Sequence, residues 1–243
     1  EWDGQWQGIT VASDGCCYFG SSTHAKSRGA GFHKFDPKTY EVTVLSDDMT
    51  EVCGELDLPG HPQQGKIHSD IQEHNGWLYF CTHLSNYWKE GIENYPGAHI
   101  IGYEMATGKF RDYGIPMPGY SIYAAIGVDP KYNKIYAFMT PFKAEDKENG
   151  GCYLYSIDIE SGEMQNLGMV VKGKGCAFYF YIDDNGNVWF TLKKRGYAKY
   201  ENDHGNLYVC RPETGKIETY YDVLPMGQLI DGTRTTEKQD TQR

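Results

Sequence analysis

The fold is decided by QGKIHSDIQEHNGWLYFCTHLSNYW (residues 64–88). Ile67-His68-Ser69-Asp70-Ile71 reads as a β-strand, Asn75-Gly76 as a two-residue turn of the primed type, and Trp77-Leu78-Tyr79-Phe80-Cys81 as the returning strand. Counting outward from the turn places His68 opposite His83 and Asp70 opposite Cys81. Two imidazoles from opposite strands then stand within about 5 Å at Cβ, at the open end of the hairpin.

The same unit recurs along the chain. The turn pairs Asp14-Gly15, Asn75-Gly76, Asn133-Lys134 and Asn185-Gly186 each precede an aromatic-rich strand: Cys17-Tyr18-Phe19, Leu78-Tyr79-Phe80, Ile135-Tyr136-Ala137-Phe138 and Val188-Trp189-Phe190. A variable insertion follows, and each unit closes on a second hairpin: FDPKTYEV (35–42), YEMATGKF (103–110), IDIESGEM (157–164) and CRPETGKI (210–217). Two hairpins make a four-stranded antiparallel meander. Four strands per repeat of roughly 50 residues is the signature of an all-β fold, the β-propeller. The expected organisation is one propeller domain over residues 1–232, with blades near 5–46, 65–115, 121–169 and 175–223. Residues 233–243 read as a polar tail. Propellers close with roughly four to eight blades. Four visible repeats are therefore a small propeller, part of a larger one, or one completed by a partner chain.

Composition agrees with the strand reading. Hydrophobic residues are 40% of the chain, aromatics 14%, and there are 20 Tyr and 29 Gly. No apolar run is long enough to span a membrane. The net charge of -10 opposes a general nucleic-acid surface. Seven cysteines is an odd count with no C-x-x-C and no zinc spacing, so Cys17, Cys81, Cys152, Cys176 and Cys210 read as small buried hydrophobes. No signal peptide is visible, and residues 1–4 already read as folded sequence.

In a propeller, equivalent strand ends converge around one axis. Aligning the blades on their turns gathers Gln7, His68, Tyr123 and Phe178 from the first strands, and Ser22, His83, Thr140 and Lys193 from the second. Tyr120, His24, Lys143, Lys194 and Arg195 lie close by along the chain. A ring that only filled a core would be apolar and repetitive. This one is polar, titratable and different in each blade, which points to a binding site. The insertions after each second strand should wall it. They carry Asn86, Tyr87, Trp88 and Tyr95, suited to stacking on sugar faces.

Three chemistries fit. The first is β-elimination on a uronate polysaccharide, which needs a cation or donor for the carboxylate, a base for the C5 proton and an acid for O4. His68 can serve as base and Tyr123 as acid, or Tyr123 as both, with Lys193, Arg195 or a protonated histidine on the carboxylate. The pair of opposed histidines followed one blade later by a tyrosine resembles the propeller-type polysaccharide lyases that act on ulvan. That resemblance covers the second and third blades. It implies a seven-bladed propeller, eliminative cleavage at a uronate, and catalytic roles for His68, His83, Tyr123 and Arg195. Gln7, Ser22, Trp88, Tyr120, Thr140 and Lys193 would then contact substrate, and a secreted or periplasmic location would follow. Elimination requires no cofactor. The second chemistry is a metal site, because His61, His68, His83 and His99 share one unit; His68, His83 and His99 would hold a structural zinc or manganese. The third is a polar funnel that holds a sugar, a peptide or a partner without catalysis.

Each residue also has a plainer reading. His68 can be a strand histidine bonded to the next blade, His83 a loop residue, and Tyr123 one packing tyrosine among 20. Lys193-Lys194-Arg195 can be a solvated run. His24, His33, His74 and His204 read as surface, and Asp14, Asp184 and Asn75 as turn chemistry.

Overall fold

The structure is a computed structural model that describes residues 2–58, 60–86, 91–173, 175–194, 206–221 and 223. Among them are four four-stranded antiparallel sheets, each a meander with its strands in chain order. The first holds β1 (Ile9–Val11), β2 (Cys17–Ser21), β3 (Gly31–Asp36) and β4 (Glu41–Ser46). The second holds β5 (Gln72–His74), β6 (Trp77–Cys81), β7 (Ile100–Glu104) and β8 (Lys109–Gly114). The third holds β9 (Tyr120–Asp129), β10 (Lys134–Pro141), β11 (Gly151–Asp158) and β12 (Met164–Lys172). After a short β13 (Gly175–Cys176), the fourth holds β14 (Tyr181–Ile182), β15 (Val188–Phe190), β17 (Leu207–Arg211) and β18 (Lys216–Tyr220). β13 pairs separately with β16 (Lys193–Lys194). Helix is confined to short pieces such as α1 (Met49–Val52) and α2 (Ala144–Asn149). No helix among the described residues is long and apolar enough to cross a membrane.

Asn75 (φ 50) and Gly76 (φ 79) both adopt positive φ between His74 and Trp77, so this turn is of the expected primed type. The corresponding turns of the first and fourth sheets are longer than the sequence reading has them, and that of the third is two residues longer than the second's, as the alignment of Ile71 with Ile126 requires. In the first and fourth sheets the loop is three residues, 13–15 and 184–186, ending on Gly15 (φ 80) and Gly186 (φ 82). A side-chain carboxylate shapes each: Asp14 accepts from the Cys16 N–H at 2.9 Å, and Asp183 from the N–H groups of Asn185 and Asn187. In the third sheet the loop is 130–133, and Lys134 is already paired with Asp129.

Alternate residues of each middle strand face opposite neighbours. Leu78 and Phe80 pack with Tyr18 and Phe32 of the first sheet, whereas Tyr79 and Cys81 pack with Ile122, Ile135 and Met139 of the third. Tyr136, Phe138 and Leu154 then pack with Val188, Phe190 and Tyr208 of the fourth. The sheets therefore stack face to face in chain order, as propeller blades do. This is why β6 and β10 are apolar on both faces. On the outer face of the first sheet Ile9, Val11, Val42 and Val44 are all more than half exposed.

The inner ends of the first two sheets approach closely at Ile67, which is wholly buried. A Cβ added at Gly20 would lie 2.6 Å from the Ile67 Cβ, and one at Gly8 only 2.5 Å from the Ile67 carbonyl oxygen. Gly20→Ala is expected to cost about 1–3 kcal/mol through overpacking, read as a lower denaturation midpoint. Gly4→Ala, where nothing lies within 4 Å, should leave that midpoint in place. Equal effects of the two substitutions would contradict this packing.

Candidate functional site

The site arises from a repeated register break. At the inner end of each blade the first strand re-pairs with the second through Gly4 with Ser22, Lys66 with His83, Ser121 with Thr140 and Cys176 with Lys193. Between that pair and the regular ladder, the first strand carries extra residues. Residues 67–71 lie opposite 80–82, between the Lys66–His83 and Gln72–Tyr79 pairs. Residues 5–8 lie opposite 20–21, and 123–125 opposite 138 alone. Residues 177–180 lie opposite 190–192.

The expected opposition of His68 to His83 is therefore corrected: Lys66 holds that place. Asp70 does not face Cys81 in a ladder either; the Cys81 N–H donates to Ser69 Oγ at 3.0 Å. Extra residues on one strand bulge out of the sheet and re-aim their side chains. Here the bulges carry Gln7, His68, Tyr123 and Phe178.

Those four side chains, one from each blade, form a contact row. His68 Nδ1 lies 3.0 Å from Gln7 Oε1. The rings of His68 and Tyr123 are 4.6 Å apart between centroids, and those of Tyr123 and Phe178 5.6 Å apart. His83 stands behind the row, edge-on to Tyr123 at 5.3 Å and to Phe142 at 5.3 Å, with His68 at 5.7 Å. His68 is half-buried, Tyr123 is 8% exposed and His83 is 0% exposed. The floor is apolar: Tyr123 belongs to a buried cluster with Leu84, Ile92, Tyr95, Phe142 and Cys176.

Hydrogen bonds assign the tautomers. His83 Nδ1 lies 3.0 Å from the Ile122 carbonyl oxygen, which only accepts, so Nδ1 carries a proton. His68 Nδ1 donates to Gln7 Oε1, with the same result. Gln7 itself is held at φ 60, an unfavourable backbone for a residue with a Cβ, and its buried Nε2 finds no hydrogen-bond acceptor.

Other expected contacts are structural. The Thr140 hydroxyl donates to the Gly175 carbonyl at 3.1 Å, and Tyr120 is buried against Tyr153. Tyr95 is 1% exposed and Asn86 5%, so neither offers a face to a sugar. Ser22 is fully buried. Trp88, Tyr87 and Arg195 lie outside the described residues, as do His204 and the polar tail at 233–243; of Lys193 only the backbone is described. His33, read as a surface residue, is 3% exposed between Trp2 and Phe19, and burial holds its pKa down. Lys66 went unnoticed in the sequence. Its Nζ donates to the Leu84 and Ser85 carbonyls, and burial lowers its pKa to about 8. A lone lysine beside an apolar strand start was the available signal.

His99 does not join His68 and His83. Its Nε2 lies 2.8 Å from Glu55 Oε1 and its Nδ1 2.8 Å from Asp112 Oδ2. Among the described residues, the donor atoms close enough to share an ion are those of Cys53, His99 and Asp112. Thiolate, imidazole and carboxylate suit zinc better than manganese. With both ring nitrogens bonded to carboxylates, however, the arrangement is that of an imidazolium between two anions. Burial disfavours that charge, but hydrogen bonds to Asp112, Cys53 and Glu55 outweigh it and lift the His99 pKa to about 12.

No family model and no curated protein sequence matches the chain. Solved structures do. TolB from Acinetobacter baumannii aligns with a TM-score of 0.54 at 11% identity, over 90% of this chain and 43% of that one. An oligogalacturonate lyase from Vibrio parahaemolyticus aligns with a TM-score of 0.50 at 13% identity, over 93% of this chain and 56% of that one. Both are β-propellers, and at these identities the likeness shows the fold alone. The chain spans about half the length of the structures it matches.

The His99 cluster gives a pH signature. Because the folded pKa exceeds the ordinary value of about 6.5, its stabilisation is complete below that pH and declines as pH rises towards 12. The melting-temperature gap between the wild-type chain and His99→Gln should therefore be widest near pH 6 and narrow by pH 9. A gap that widens with pH would show the ring to be neutral.

Proposed function

We propose that this propeller is directed at carbohydrate and that its site cleaves a uronate-containing polysaccharide by β-elimination. The observation that carries the reading is the contact row from four blades, which sets a half-buried imidazole against a phenol at 4.6 Å with a second imidazole behind them. Fold alone would not support it, since one fold hosts many functions.

In this reading the Nε2 lone pair of His68 takes the C5 proton of the sugar. The C5 electron pair forms the C4–C5 double bond as the C4–O4 bond breaks, and the Tyr123 phenol protonates the departing O4. Gln7 accepts from His68 Nδ1 and so keeps that proton away from the Nε2 side of the ring. Arg195 and Lys193, on the chain that follows the fourth blade's second strand, are the proposed cations for the carboxylate, and Trp88 the proposed stacking face. His83 is too deeply buried to touch sugar and serves as a positioning residue. The same pocket without chemistry would be a sugar-binding module, and the experiment separates the two.

Incubation with a panel of uronate polysaccharides should yield the ultraviolet-absorbing unsaturated product. His68→Ala and Tyr123→Phe should each lower kcat by about 10²–10⁴-fold with the melting temperature retained. Binding of a polysaccharide with no unsaturated product, unaltered by His68→Ala, would replace the lyase with the binding module.

A further inference from the structure

Behind His83 runs a buried chain of side-chain hydrogen bonds that nothing in the eliminative chemistry requires. It starts at the Asp112–His99–Glu55 group, where both His99 nitrogens donate to carboxylates. Glu55 Oε2 accepts from Gln64 Nε2 at 2.8 Å. Gln64 Oε1 accepts from the hydroxyls of Thr82 at 2.8 Å and Tyr95 at 3.1 Å. Tyr95 meets Ser121 Oγ at 3.4 Å, and Ser121 Oγ lies 2.7 Å from His83 Nδ1. Gln64, Thr82 and Ser121 are 0% exposed, Tyr95 1%, Glu55 4% and His99 5%.

A carboxylate and a carbonyl accept only, a hydroxyl has a single proton, and an amide has distinct ends. These facts set the direction of every bond. Glu55 and the Gly97 carbonyl, 2.8 Å from Gln64 Nε2, both require a donor, so the NH₂ end of Gln64 faces them. Its oxygen end must then receive the protons of Thr82 and Tyr95. Tyr95 has no second proton, so it accepts from Ser121. Ser121, its proton committed, accepts from His83 Nδ1.

We infer that this chain, from Glu55 through Gln64, Tyr95 and Ser121, fixes His83 in the Nδ1–H tautomer and makes Gln64 and Tyr95 positioning residues for the site. The Ile122 carbonyl favours the same tautomer, but alone it would leave Ser121 free to donate to Nδ1 and compete. The relay removes that competition. The consequence for catalysis rests on the lyase reading above; the tautomer does not.

The test is nitrogen-15 NMR of the histidine rings in the full chain, beside kinetics on a uronate polysaccharide. Wild-type His83 should show the Nδ1–H tautomer alone. Tyr95→Phe deprives the Ser121 proton of its acceptor and turns it onto Nδ1, so His83 should shift towards Nε2–H and kcat should fall about tenfold with KM unchanged. Gln64→Leu frees the Tyr95 proton for Ser121 and should produce the same shift, which keeps the test open if one variant fails to fold. The double variant Tyr95→Phe/Ser121→Ala removes the competing donor and should return His83 to Nδ1–H. A folded Tyr95→Phe or Gln64→Leu protein with an unchanged His83 tautomer would overturn the inference, as would a double variant no closer to wild type than the single. If no substrate is cleaved, the tautomer measurement still decides it.

Discussion

A register break at the inner end of each blade governs this structure. A regular antiparallel ladder alternates its side chains strictly between two faces, and in a stack of blades both faces are occupied by neighbours. A residue can leave that alternation where the ladder is interrupted. The extra residues at 67–71 and 123–125 supply the interruption and lift His68 and Tyr123 out of the sheets. The lost ladder bonds are partly replaced: Cys81 N–H turns to Ser69 Oγ, and Gly20 N–H to the Gly8 carbonyl.

Close packing between blades turns those bulges into a site. Ile67 sits where Gly8 and Gly20 leave no room for a Cβ, which brings the second bulge against the first and lets His68 reach Gln7. Tyr123 then closes against His68 on one side and Phe178 on the other. The polar groups behind the site are buried yet mutually satisfied. Such a network is costly when incomplete and rigid when complete, and this one joins the connector between the first two blades to the start of the third.

Much of the fold was legible. Two hairpins per repeat, aromatic strands and turn residues at a steady spacing implied four-stranded meanders, and four such sheets are present. Matching the blades on their turns also grouped Gln7 with His68, Tyr123 and Phe178, and Ser22 with His83, Thr140 and Lys193; the structure puts the second set at equivalent paired positions and the first set in the bulges beside them. Partner assignment failed where the bulge intervened. His68 was set opposite His83 because counting from a turn assumes an unbroken ladder, and nothing in residues 67–71 announces two extra positions. His33 was placed at the surface and Tyr95 in the cleft because burial is decided by neighbours remote in the chain, Trp2 for one and Gln64 for the other.

The sequence by itself determined the four meanders, the primed turn at Asn75-Gly76 and the repeat, because these follow from side-chain periodicity and local backbone preference; the strand read at 67–71 is instead the bulge, and the first strand of that blade is Gln72–His74. Tertiary structure alone decided which equivalent residues touch, which imidazole is half-buried and which is sealed, and that His99 joins Glu55 and Asp112 and not His68 and His83. Those outcomes depend on contacts between segments dozens of residues apart, where one inserted residue in a strand reverses the direction of every side chain beyond it.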